Sequence, residues 1–201
     1  MMFSDEEGEL AVTTARRVIE SHVKREKISG LDLPESFKNK FGVFVTLTTH
    51  PQDELRGCIG YPEPIISLED ALKDSAISAS SRDPRFPPVK SQELGGITVE
   101  VSLLTPPEEI KVKRCQDLPN QIHIGEDGLI AQKGWNRGLL LPQVPVEWGW
   151  DAEEFLSQTC IKAGLPPDTW LDGDTKVFKF TAEVFSEESP RGKVKRRRLS
   201  E

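Results

Sequence analysis

The stretch that most limits what this chain can fold into is Leu55-Arg56-Gly57-Cys58-Ile59-Gly60, taken with the run before it. From Phe41 to Thr49, Phe41, Val43, Val45 and Leu47 alternate with Gly42, Phe44, Thr46 and Thr48, the period of a strand with one buried face. His50-Pro51-Gln52-Asp53-Glu54 is rich in turn formers, so the six residues after it read as the returning arm of a β-hairpin. Two glycines within four residues weaken that arm. They predict a bulge, or the close approach of another group to the backbone.

Further strand signals follow the same pattern. Ile97, Val99, Val101 and Leu103 alternate with Thr98, Glu100 and Ser102, and Phe178, Phe180, Ala182 and Val184 alternate with Lys179, Thr181 and Glu183. Residues 122–125 and 129–133, joined by Glu126-Asp127-Gly128, read as a second hairpin with Asp-Gly as its turn. Helices are fewer and their starts are marked. Ser4 stands three residues before Glu7, Ser67 three before Asp70, and Asp151 three before Glu154, each the spacing of an N-terminal cap. The second helix carries Ala71, Ser75, Ala76, Ala79 and Ser80, small residues that let it lie close to a sheet. Strands in adjacent hairpins with few helices between them favour an α+β fold of antiparallel or mixed sheets over a doubly wound parallel sheet.

Composition narrows the function classes. The net charge is −7, but residues 190–201 hold six basic side chains and one acidic, a local +5 that leaves −12 on the rest. So acidic a body is a poor general nucleic-acid surface, and weak contact of that kind is expected only through the basic tail, read as disordered over residues 191–201. The acidic start, Ser4-Asp5-Glu6-Glu7, lacks the basic and apolar regions of a signal peptide. No apolar run reaches the roughly 20 residues of a membrane span, so a cytoplasmic protein is expected. The three cysteines (Cys58, Cys115, Cys160) and three histidines (His22, His50, His123) are scattered and form no CxxC pair, so no local metal site is expected.

Two chemistries fit the residues around the hairpin. In one, Cys58 is a nucleophile, with Arg56 or Arg85 stabilising its thiolate and His50, just across the loop, as the candidate base. In the other, the backbone at Gly57 and Gly60 and the guanidiniums of Arg56 or Arg85 hold a small anionic or nucleotide-like ligand. No GxGxxG or GxxxxGK[ST] loop accompanies them. Arg85 and Phe86 lie in the proline-rich Asp83-Pro84-Arg85-Phe86-Pro87-Pro88, a stiff loop that is either pre-ordered for binding or simply a rigid connector. A third reading is an accessory protein that recognises a segment of a partner, which would explain the missing catalytic signature.

In the order LRGCIG at 55–60, DPRFPPV at 83–89, EL..ITVEVSLLTPP at 93–107, DGLI at 127–130, LLPQV at 140–144 and EEFLSQTCIKAGLP at 153–166, the chain resembles the AMMECR family, and in its compact length the archaeal stand-alone members. The resemblance covers nearly the whole chain except the last dozen residues. It implies a two-part architecture of sheets covered by helices, about residues 1–64 with 121–190 and about 65–120, with a groove between the parts. The motifs would add Asp83 and Gln143 to the groove. The family brings no established biochemical activity and no cofactor. Its association in many prokaryotes with Memo-type and radical SAM proteins implies those as partners.

Overall fold

The computed structural model describes residues 3–28 and 30–197. In chain order its main elements are α1 (Asp5–Lys24), β1 (Gly42–Thr49), β2 (Leu55–Tyr61), α2 (Leu68–Ser81), β3 (Ile97–Leu104), β4 (Glu108–Glu109), β5 (Asp127–Lys133), β6 (Asn136–Leu140), α3 (Gln143–Trp148), α4 (Ala152–Lys162), β7 (Lys176–Glu187) and β8 (Val194–Arg197). They form two compact units. The first comprises the chain up to Leu104 with Glu183–Arg197, and the second Thr105–Ala182.

In the first unit the strand order is β2-β1-β3, then the end of β7, which also pairs with β8. The β1–β2, β1–β3 and β7–β8 pairings are antiparallel, Val45 facing Ile59 on β2 and Val101 on β3. The period-two pattern decides which face is covered. Val43, Val45, Leu47, Val99, Val101 and Leu103 are fully buried, in one cluster with Ala11, Val12, Ala15 and Ile19 of α1 and Leu68, Ala71, Leu72 and Ala76 of α2. Each fully buried Val, Leu or Ile contributes about 1.5–3 kcal/mol, which makes this cluster the main support of the unit. The helix starts are those expected. Ser4 and Glu7 form a reciprocal capping box, and the Ser67 hydroxyl accepts from the Asp70 N–H.

The second unit joins β5 antiparallel to both β6 and β7, and β4 to β7. Phe155, Leu156 and Cys160 of α4 bury against Leu129, Ala131 and Val177. The Asp151 carboxylate accepts the Glu154 N–H at the start of α4.

Three expectations are corrected. Residues 122–125 are not a hairpin arm. The Asp127 carboxylate accepts the His123 N–H at 2.8 Å and the Asp127 N–H donates to the His123 carbonyl, so Asp127 holds a tight turn and the strand begins there. The hairpin is the next one, β5–β6, closed by Gly134 and Trp135, with Gly134 at φ +60°. Residues 65–104 do not form a separate part, because α2 packs on the face that β1 and β3 share, and residues 121–182 fall in the other unit. The basic tail is ordered through Arg197. After a turn at Ser189–Gly192, β8 pairs with β7, and Arg196 meets Asp5 and Glu183 with its guanidinium 4.5 Å from the Phe185 ring. Lys195 pairs with Glu188 and Arg197 with Glu100. Arg196 and Arg197 thus meet acids far away in sequence, Asp5 and Glu100, while Glu183 and Glu188 come from β7 and the turn beside it. Residues 198–201, the last of the expected tail, lie outside the described residues.

Candidate functional site

The expected bulge is present. Leu47 faces Gly57, but Thr48 faces Leu55, so Arg56 is the extra residue between them. The close approach is present as well. A Cβ on Gly57 would stand 2.2 Å from the Ala79 carbonyl oxygen of α2, which is why the helix above it is built of small residues. At Gly60 a Cβ would meet the Val43 carbonyl at 2.2 Å and the Phe44 ring at 2.6 Å. Helix and sheet packing therefore account for both glycines of the motif.

β2 stands at the edge of the strand order, so its outward N–H and C=O groups need partners. The loop after α2 supplies them. The Asp83 carboxylate, only 2 % exposed, accepts the Cys58 N–H at 2.8 Å, and Arg85 Nη2 donates to the Cys58 carbonyl at 3.2 Å. Arg85 grips Asp83 with two parallel bonds, Nε to Oδ1 at 3.0 Å and Nη2 to Oδ2 at 2.7 Å, and its own N–H adds a third at 3.1 Å. The guanidinium holds the Asp83 carboxyl well below the usual carboxylate range despite burial, with the Cys58 and Arg85 N–H groups adding to it.

On the sheet, Cys58 faces Thr46, which in turn faces Glu100, so the three side chains form a row on the face turned away from α1 and α2. The Thr46 hydroxyl donates to Cys58 Sγ at 3.2 Å. Burial pushes the Cys58 thiol up, and the opposing pull of Thr46 and Arg85 does not reverse it. A reactive cysteine needs the opposite shift. His50 is not brought to it either. It stands four residues beyond Thr46, roughly 13 Å along the strand at 3.3 Å per residue, in an exposed turn where its backbone N–H bonds the Gly96 carbonyl.

Arg56, with its side chain 12 % exposed, donates from Nε to Glu93 at 2.9 Å. Burial works against ionised Glu93, but this bond and the Lys90 N–H outweigh it and lower the carboxyl. The Arg85 and Arg56 guanidiniums lie 5.5 and 5.9 Å from the centre of the Phe86 ring, within cation–π range of the same aromatic. Arg56, Gly57, Cys58, Gly60, Asp83, Arg85 and Phe86 thus gather in the first unit. Gln143 belongs to the second, as the first residue of α3, and its side-chain carbonyl is buried with no partner among the described residues. Sequence reasoning missed Glu93, which closes the arrangement around Arg56. Its only signal was a position in the EL..ITVEV motif, 37 residues from its partner. Among the described residues no cluster of three or more His, Cys, Asp or Glu side chains is placed to hold a metal ion, and no helix is long and apolar enough to cross a membrane.

Comparison with known proteins places this geometry in context. The AMMECR1 family model matches residues 12–185. Protein MJ0810 of Methanocaldococcus jannaschii is 55% identical over 194 residues, 96% of each chain. Protein PF1979 of Pyrococcus furiosus is 58% identical over 200 residues, 97% of this chain and 95% of the relative. The crystal structure of the uncharacterized protein PH0010 from Pyrococcus horikoshii superposes with a TM-score of 0.89 at 55% identity, over 98% of this chain and 100% of that one.

Proposed function

The chain belongs to the AMMECR1 family, and on that premise we propose that its LRGCIG region binds a small anionic group and does not work as a thiol active site. The family has no defined activity, so the reading rests on the site. The observation that carries it is how the two guanidiniums use their donors. Arg56 gives only Nε to Glu93, and Arg85 gives Nε and Nη2 to Asp83 and Cys58. Among the described residues, the two terminal nitrogens of Arg56 and Nη1 of Arg85 make no hydrogen bond. The carboxylates therefore fix the direction of each guanidinium and leave N–H groups beside a shared aromatic ring.

A carboxylate or phosphate accepts paired N–H bonds from such planar donors. Pro84, Pro87 and Pro88 stiffen the loop that carries Arg85 and Phe86, so little order has to be gained on binding. The raised thiol and the distant histidine argue against the nucleophile reading.

Titration of the full chain with inorganic phosphate and with AMP, followed by amide NMR shifts, tests the proposal. Shifts are expected to centre on residues 56–60 and 83–86. Arg85→Ala and Arg56→Gln are each expected to weaken binding by about tenfold, the worth of one charge-assisted hydrogen bond pair. Binding undiminished in both variants, or shifts centred elsewhere, would overturn it.

A further inference from the structure

On the helix-free face of the same sheet, within the first unit, lies a cavity of about 490 Å3 that the anionic-ligand reading does not use. This volume falls in the range of small-molecule sites. Its floor is Thr48, Thr98 and Glu100, which alternation turns away from the buried valines of β1 and β3. Its walls are the 50–53 turn, with His50 and Asp53, and the end of β7 through Glu188. Arg197 of β8 closes it.

The charge of the lining is one-sided, and its carboxylates are not equivalent. Glu187 is spent on the structure: it pairs with buried Arg16 and accepts the Val99 N–H at 3.0 Å. Glu188 is answered by Lys195. Asp53 accepts only the neutral Thr48 hydroxyl, at 3.4 Å, and has no cationic partner among the described residues. Glu100 is answered from the cavity's own wall, where Arg197 Nη1 donates to Oε2 at 3.0 Å. That Arg197 side chain is 58 % exposed and sits on the last described residue of a short edge strand. A guanidinium of the cavity's own wall thus holds one of its carboxylates, and the charge left on the lining is negative.

We propose that this cavity receives a cationic group, a guanidinium or primary ammonium, with Glu100 and Asp53 as its acceptors and Arg197 as a placeholder that an incoming cation displaces. The inference is independent of the anionic site: no residue is shared, and the ligand charge is opposite. Arg197 can leave at small cost because an exposed ion pair is weak, while Arg196 keeps β8 anchored through Asp5, Glu183 and the Phe185 ring.

The test is calorimetric titration with agmatine, which carries both groups, at low salt. The wild type is expected to bind, and Arg197→Ala to bind about fivefold tighter once the internal competitor is gone. Glu100→Gln, nearly isosteric, is expected to weaken binding in the Arg197→Ala background by about tenfold. Glu26→Gln, an exposed acid elsewhere, should change nothing. No gain in Arg197→Ala, no loss with Glu100→Gln, or an equal loss with Glu26→Gln would each overturn the proposal. A blocked Gly-Arg-Gly peptide run in parallel distinguishes the source. Agmatine binding alone supports a small amine, and binding of the peptide as well supports an arginine side chain of another protein.

Discussion

The two units solve one packing problem in the same way and then diverge. In each, a glycine on the second arm of a hairpin lies under a helix. A Cβ on Gly57 would meet the Ala79 carbonyl of α2 at 2.2 Å, and one on Gly138 would meet the Ala163 nitrogen at the end of α4 at the same 2.2 Å. Around Gly57 the chain adds a bulged arginine, a thiol on the open face, and a loop that caps the strand edge with an aspartate and a second arginine. Around Gly138 it adds a two-residue turn with a fully exposed tryptophan, and Asn136 bonded to the Gly164 carbonyl. A glycine in a strand thus marks close packing in both places. The second hairpin has cations of its own, Lys133 paired with Asp172 and Asp174 and Arg137 over the Phe178 ring. What distinguishes the first is that two guanidiniums held by carboxylates share one aromatic ring.

The largest expected effect tests the shared part of the comparison. Gly57→Ala and Gly138→Ala should each destabilise their unit by about 3 kcal/mol, since a methyl must displace helix backbone and no flexible side chain can yield. Urea unfolding of each variant checks this. A harmless Gly57→Ala would mean that α2 does not press on β2, and the likeness between the hairpins would fall.

Next in size is a change with no counterpart in the second hairpin. Asp83→Asn leaves Arg85 without its carboxylate and weakens the cap on the β2 edge, at about 2 kcal/mol, a figure reduced because half of Arg85 faces water. Acid should act in the same direction. The folded-state carboxyl of Asp83 is depressed, so the stability it contributes is present above the ordinary carboxylate value and is lost as pH falls through about 4 and below. Wild type should therefore lose more stability than Asp83→Asn between pH 5 and about 2.5, as thermal melts would record. Parallel curves would remove Asp83 from its role.

The smallest effect concerns the thiol. Cys58→Ser keeps shape and hydrogen bonding, so it should cost under about 1 kcal/mol and leave anion binding unchanged, in contrast to Arg85→Ala. A Cys58→Ser variant that abolished binding would return the thiol to the centre of the site.

Local chemistry made much of this legible in advance. The caps at Ser4, Ser67 and Asp151 and the alternation in β1 and β3 depend on neighbours a few residues away, so the sequence carries them. The bulge could be read from Gly57 for the same reason. Asp127-Gly128 misled because the aspartate spends its carboxylate on the His123 N–H, a choice its neighbours do not reveal. β8 was illegible for a different reason. A run of lysines and arginines reads as solvated until Asp5, Glu183, Glu100 and Glu188 are brought to it, two of them, Asp5 and Glu100, from distant segments. Glu93 stayed hidden likewise, as a partner of Arg56 that only the fold supplies.

The measurement that bears most directly on the central claim, that this motif binds and does not attack, is the alkylation rate of Cys58 in the native protein against pH, read by mass spectrometry. The account predicts a midpoint above the roughly 8.5 of a free thiol, because burial disfavours the thiolate. Fast reaction with a midpoint well below that value, while buried Cys160 stays inert, would contradict it and make Cys58 an activated nucleophile.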